Sequence, residues 1–460
     1  MKACTVRVGK LGSMLVTLAL ASLSLLLIVF LLAAAAPAAN PVQAAAVGRG
    51  LNDWVIVVGT TGTVSLVNAT TDLVYGPVLS GELGSSGGGL FDVAVTPDGN
   101  TALISNFGDS AVYLVDVSNR ISPSVITSVT IPFFAEDIAI THDGQFALVT
   151  DGGSSTQIAA ISLISRTLAY TVELGTPQAQ AVDVAPDGTV VVADYSNGSV
   201  HSLFPDSSGQ LTVTGSYSYT IRPDGTVTTT DHWQGSMPMV PSGAPRSFIG
   251  TTGDSGPIGD SGSLNVQPAS PAAYLSRPVN VAIAPDGQTV IVCDVAAYDP
   301  PTDTLFAVGV YRITSPGVLT LTGVITGLTR ATQSVAFSAT GDKAYLSQNG
   351  GQRKGNQYNH LAVLDITAPG VVSLNRDAAA DYPRLTSSQL FGVDTIVVAN
   401  GKAYVGYPTV SGASYDLRVV DLDDYGVRSL SMPGIPVGVA VIPVHKVYLP
   451  LYVSPDGDSR

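Results

Sequence analysis

The chain has 460 residues with 35 acidic against 21 basic side chains, a formal net charge of −14, and only 12% charged residues. That balance excludes nucleic-acid binding through phosphates and disfavours an anionic membrane surface, while it suits a cation or a basic partner. Gly (48) and Pro (29) are frequent, which fits one large, turn-rich all-β repeat domain better than several small domains.

Taken in order, the chain opens with Lys2, Arg7 and Lys10, an apolar run from Leu11 to Ala36, and the small-residue site Val42-Gln43-Ala44. This pattern predicts an export signal over residues 1–46. The run is also long enough to span a bilayer, so an uncleaved N-terminal anchor is the alternative. The expected location is extracellular or at the cell surface. Cys4 lies in this leader and Cys293 in a strand run. The mature chain then has one thiol and no internal disulfide, and Cys293 reads as a buried apolar residue.

Residues 54–59, 63–68 and 73–79 read as three strands with no inner strand before them. From Phe91 onward a unit recurs. Phe91-Asp92-Val93-Ala94-Val95 is followed by Pro97-Asp98-Gly99 and then by Ala102-Leu103-Ile104-Ser105-Asn106. Pro presets φ for a turn, Asp bonds its own backbone and Gly takes positive φ, so the unit reads as a β-hairpin. Related first-strand motifs follow residues 137, 181, 280, 334, 394 and 438, in steps of 45, 44, 99, 54, 60 and 44. A base step near 45 matches one four-stranded propeller blade. Seven motifs predict an all-β, seven-bladed β-propeller. The strand at Val439–Ile442 has no complete blade after it, so it is expected to join the N-terminal strands in one closing blade. Lys446–Leu451 competes for that place, but Pro450 would delete a ladder donor.

Ala94-Val95-Thr96-Pro97-Asp98-Gly99, Ala102-Leu103-Ile104-Ser105-Asn106 and Val112-Tyr113-Leu114-Val115-Asp116 resemble the YVTN family of β-propeller repeats of secreted and surface-layer proteins. The resemblance covers residues 51–453, and the copies near 335, 395 and 439 depart from it. It implies the fold and says little about function.

The domain reading is residues 1–46 as leader, 47–453 as propeller with a Gly/Ser/Pro-rich loop insertion over 222–278, and 454–460 as tail. Further insertions at Ala296–Asp303, Asn349–Asn359, Asn375–Ser388 and Pro408–Ser414 fall between strands two and three or between blades. In a meander these connections share one face, and one-sided elaboration marks a candidate binding face. The expected partner there is a protein, peptide or glycan, and the chain is expected to be a monomer. Gly-Asp-Ser-Gly at 253–256 and 259–262 lies in low-complexity sequence with no oriented base, so it reads as polar loop. His142, His201, His232, His360 and His445 show no metal-ligand spacing.

The residue before each first strand is Asp92, Asp137, Ala181, Asn280, Ser334, Asp394 or Gly438. These positions are expected to ring the channel mouth. Asp92, Asp137, Asn280, Ser334 and Asp394 form the candidate ligand or cation site, with Asp92, Asp137 and Asp394 as metal ligands and Ca2+ as the candidate ion. The leading functional reading is a non-catalytic binding or surface scaffold. The other is a channel-centred hydrolase of lactonase type.

Overall fold

The structure is a computed structural model that describes residues 53–84, 89–153, 155–175, 177–221, 227–232, 274–275, 277–294, 306–328, 331–349, 360–376, 395–406 and 415–443. The leader, the Gly-Asp-Ser-Gly pairs, the insertions after Ala296, Gly350 and Pro408, Asp394 and the C-terminal tail lie outside these residues. Among the described residues no helix is long and apolar enough to cross a membrane.

Seven antiparallel sheets form a seven-bladed propeller. The inner strands are Pro436–Ile442, Leu90–Val95, Ala135–Ile140, Ala179–Val184, Pro278–Ile283, Ala331–Phe337 and Ile396–Ala399, in blades numbered 1 to 7 in that order. Each inner strand contacts the next round the ring, including Ile396–Ala399 with Pro436–Ile442. Blade 1 closes the ring as expected. Pro436–Ile442 pairs antiparallel with Trp54–Gly59, with Trp54 opposite Ile442 and Val58 opposite Gly438. The N-terminal segment thus takes the second-strand place.

The second strands read as continuous apolar runs because both of their faces are covered by neighbouring blades. In blade 1, Ile56 and Val58 enter a core shared with Val93, Ile104 and Val115 of blade 2. Val55 and Val57, one residue out of phase, enter a core shared with Tyr404, Leu417 and Val419 of blade 7. The period of two is intact, but each face meets apolar partners. Hydrophobic clusters of this kind fill every inter-blade gap.

The hairpins at the other end follow from the turn chemistry. Gly99, Gly144, Gly188 and Gly287 have φ of 68°, 68°, 89° and 69°. The preceding Asp accepts from the backbone N–H two residues on: Asp98 from Asn100 at 3.0 Å, Asp143 from Gln145 at 3.0 Å, and Asp286 from Gln288 at 2.8 Å.

The insertion expected as loop over 222–278 is corrected at its edges. Leu211–Ile221 runs beyond its blade, and Val227–His232 pairs along it as a fifth strand, with Tyr274–Leu275 pairing beside Thr220 and Ile221. The cause is local. Val227-Thr228-Thr229-Thr230 is β-branched throughout, and Pro223-Asp224-Gly225 repeats the hairpin signal between the two strands.

Candidate functional site in the central channel

The inner strands build the channel wall, and their polar residues hold neighbouring blades together. Asp92 Oδ2 accepts from the Ile138 N–H of blade 3 at 3.1 Å. Asp137 Oδ2 accepts from the Val182 N–H of blade 4 at 2.8 Å. Asp183 repeats the bond two residues further down the channel, accepting from Ile283 N–H of blade 5 at 2.7 Å on Oδ2 and from Val184 N–H at 2.7 Å on Oδ1. Two residues is one strand period, so the same face is used one step lower.

Hydroxyls form a second layer of bridges. Ser105 Oγ accepts from Asp92 N–H at 2.8 Å and donates to the Glu136 carbonyl of the next blade at 2.6 Å. Thr150 repeats this with Asp137 N–H at 3.0 Å and the Gln180 carbonyl at 3.3 Å. Ser347 accepts from Ser334 N–H at 3.2 Å. By strand register, Cys293 opposite Asn280 takes the same place in blade 5. It is fully buried, and burial pushes its thiol up to about 12.

The expected ring of oxygens is therefore split. Asp92 and Asp137 meet on adjacent blades and are hydrogen-bonded to each other. Asn280 and Ser334 keep the matching register in blades 5 and 6, opposite Cys293 and Ser347. In blade 7 the hairpin has a two-residue turn, with Ala399 opposite Lys402 and Ile396 opposite Val405. Counting back from there, Thr395 and not Asp394 holds the position of Asp92. Gly438 carries no side chain, and a Cβ there would lie 2.9 Å from the Asp92 backbone.

The electrostatics follow from packing. Asp92 and Asp137 are half-buried at the channel wall. Burial raises Asp92 to about 6, against the N–H donors of Val93 and Ile138 and the bond from Asp137. Burial and the Asp92 charge raise Asp137 well above the usual range. One proton shared by the pair offsets their repulsion. Among the described residues no group of three or more His, Cys, Asp or Glu could hold a metal ion.

Two features of this region escaped the sequence. Glu136 is 9% exposed, its Oε2 has no hydrogen-bond partner, and burial followed by the charges of Asp151 and Asp92 raises it to about 8. A Cβ on Gly152 would lie 2.8 Å from that oxygen and 2.8 Å from the Phe107 ring, so Oε2 is closely packed beside Gly152. Asp183 replaces the Ala found at the same register as Ala94, Ala139 and Ala282. That substitution was visible in Val182-Asp183-Val184 as a lone acid in an apolar run. Burial raises Asp183 to about 6, opposed by the N–H groups of Ile283 and Val184.

A cavity of about 360 Å3 occupies the hairpin end of the channel and is lined by blades 2, 3 and 4, with Asp183 and His142 on its wall. His201, a residue without sequence context, lies buried with Nε2 3.3 Å from Asp194 Oδ2. Asp194 also accepts from Ser196 N–H at 3.0 Å, so that pair braces a turn.

No family model and no curated protein matches this chain. Solved structures share its fold. A functionally unknown protein from Desulfotomaculum acetoxidans aligns at TM-score 0.55 and 16% identity over 85% of this chain and 98% of its own. A periplasmic gluconolactonase from Pseudomonas aeruginosa aligns at 0.55 and 14%, over 86% and 99%. A putative 6-phosphogluconolactonase from Bacteroides fragilis aligns at 0.55 and 11%, over 85% and 98%. These likenesses establish the class, a propeller of the seven-bladed kind, and no particular chemistry.

Proposed function

We propose that this chain is an exported, non-catalytic propeller of the YVTN-repeat type that binds a protein, peptide or glycan at the cell surface through its loop-bearing face. One observation carries the reading. The acids of the channel wall are engaged in joining blades, and Glu136, the group with the protonation suited to a general acid, is buried with its Oε2 packed beside Gly152. A catalytic acid has to reach a reacting atom. The leader with Lys2, Arg7 and Lys10 ahead of the apolar run supports export.

A lactonase-type reading draws on one cavity that brings Asp183 and His142 onto one wall, and on gluconolactonases with this fold. The full chain, incubated with gluconolactone and its 6-phosphate, separates the two. We expect hydrolysis at the rate of buffer alone. Turnover well above buffer that disappears in Asp183→Asn or His142→Ala would replace the scaffold reading with the enzymatic one.

A further inference from the structure

The cavity at the hairpin end of the channel carries an inference separate from the loop face. Its wall is Ala94, Val95 and Pro97 of blade 2, Ile138, Ala139, Ile140 and His142 of blade 3, and Val182 and Asp183 of blade 4. At about 360 Å3 it lies within the range of small-ligand sites, about 300–1,000 Å3. The side chains of Ala94, Val95, Ile138, Ala139, Ile140 and Val182 supply its apolar surface, while backbone groups, His142 and one acid, Asp183, supply a polar surface of similar extent.

Asp183 is half-buried on this wall, and no cationic side chain among the described residues contributes to its environment. Each of its oxygens takes one backbone N–H, from Val184 and from Ile283. A carboxylate oxygen can accept two hydrogen bonds, so one acceptor site remains on each. Other groups near it are His142 on the same wall and Asp137, which is bonded to the adjacent Val182 N–H.

We propose that this cavity binds a small organic ammonium ion, its nitrogen on Asp183 and its hydrocarbon body against Ala94, Ala139 and Ile140. Other classes fit worse. A bare metal ion needs about six to eight oxygen ligands when it is calcium, and the wall offers one carboxylate. An anion would meet Asp183 with like charge. A carboxylate in a low-dielectric recess favours a cation that brings its own apolar cover. The net charge of −14 raises the local concentration of cations.

The test uses the full chain and n-butylammonium as probe, with n-butanol as the neutral control, followed by titration calorimetry. The expected result is saturable one-site binding of n-butylammonium, with n-butanol at least roughly tenfold weaker. Asp183→Asn should weaken the ammonium by roughly tenfold or more and leave n-butanol unchanged. Because Asp183→Asn alters a bond between blades, Ala94→Phe provides the second arm. It narrows the cavity and keeps the carboxylate, and it should weaken binding of both probes by roughly tenfold or more. No saturable binding by the wild type overturns the proposal, as does ammonium binding that Ala94→Phe leaves unchanged.

Discussion

Ser105 shows how much one small side chain does in this fold. Its hydroxyl satisfies the Asp92 N–H on its own blade and the Glu136 carbonyl on the next, at full burial. Ser105→Ala orphans both groups. We expect a loss of about 1–3 kcal/mol in urea unfolding, with the two-state transition kept. Cys293 sits at the same register, so Cys293→Ser places a hydroxyl where Ser105 and Ser347 already have one. We expect a change within about 1 kcal/mol. A loss from Cys293→Ser as large as that from Ser105→Ala would mean that the position is read by volume and not by hydrogen bonding. The thiol itself should react with an aromatic disulfide only after unfolding, since it is fully buried and pushed up to about 12.

At the scale of elements, the closing strand Pro436–Ile442 is the least replaceable. It covers Trp54–Gly59 on the channel side and contacts Leu90–Val95 and Ile396–Ala399 on either flank. Ending the chain after Ile435 should leave a strand edge unpaired and two inter-blade cores open. We expect aggregation, or a melting temperature far below that of the full chain, by light scattering and calorimetry. A truncated chain that stays monomeric with an unchanged transition would refute closure through this strand. The seam also has an outer clasp, in which Lys402 Nζ lies 2.9 Å from Asp72 Oδ1, Tyr404 OH donates to Asp72 at 3.1 Å, and Arg428 pairs with the same carboxylate. Tyr404 is fully buried, while Lys402, Asp72 and Arg428 keep some contact with solvent, which weakens the charged pairs.

For the whole molecule, the inner carboxyls set a direction for pH dependence. Folding raises Asp92 and Asp183 from 3.8 to about 6 and Glu136 from 4.5 to about 8, and raises Asp137 as well. Each holds its proton longer when folded than when unfolded. Stability from these groups is therefore present below the unfolded values and lost as pH rises through the folded ones. Asp116, Asp342 and Asp365 are shifted downward, so their effect falls below the usual carboxylate range and does not mask this window. We expect unfolding free energy to decline from about pH 4 to about pH 8. Glu136→Gln should flatten the upper part of that decline, because the amide carries no charge and can donate toward Asp151 and Asp92. Wild-type stability that rises across the same window would contradict the assignment.

The residues by themselves determined the blade count, the hairpin turns and the pairing of both chain ends in one blade. These depend on periodicity and on Pro-Asp-Gly chemistry, which act over a few residues. Only the tertiary structure decided which polar side chains meet. Asp92 reaches Ile138 and Asp183 reaches Ile283, contacts set by how neighbouring inner strands stagger and not by spacing along the chain. The shorter turn at Asn400 and Gly401 moved the blade 7 register by one residue and gave Thr395 the place expected for Asp394. Motif alignment is blind to such a shift, because backbone pairing counts residues from the turn. The cavity beside Asp183 came into view in the same way, from three strands of separate blades converging on space that no single repeat encloses.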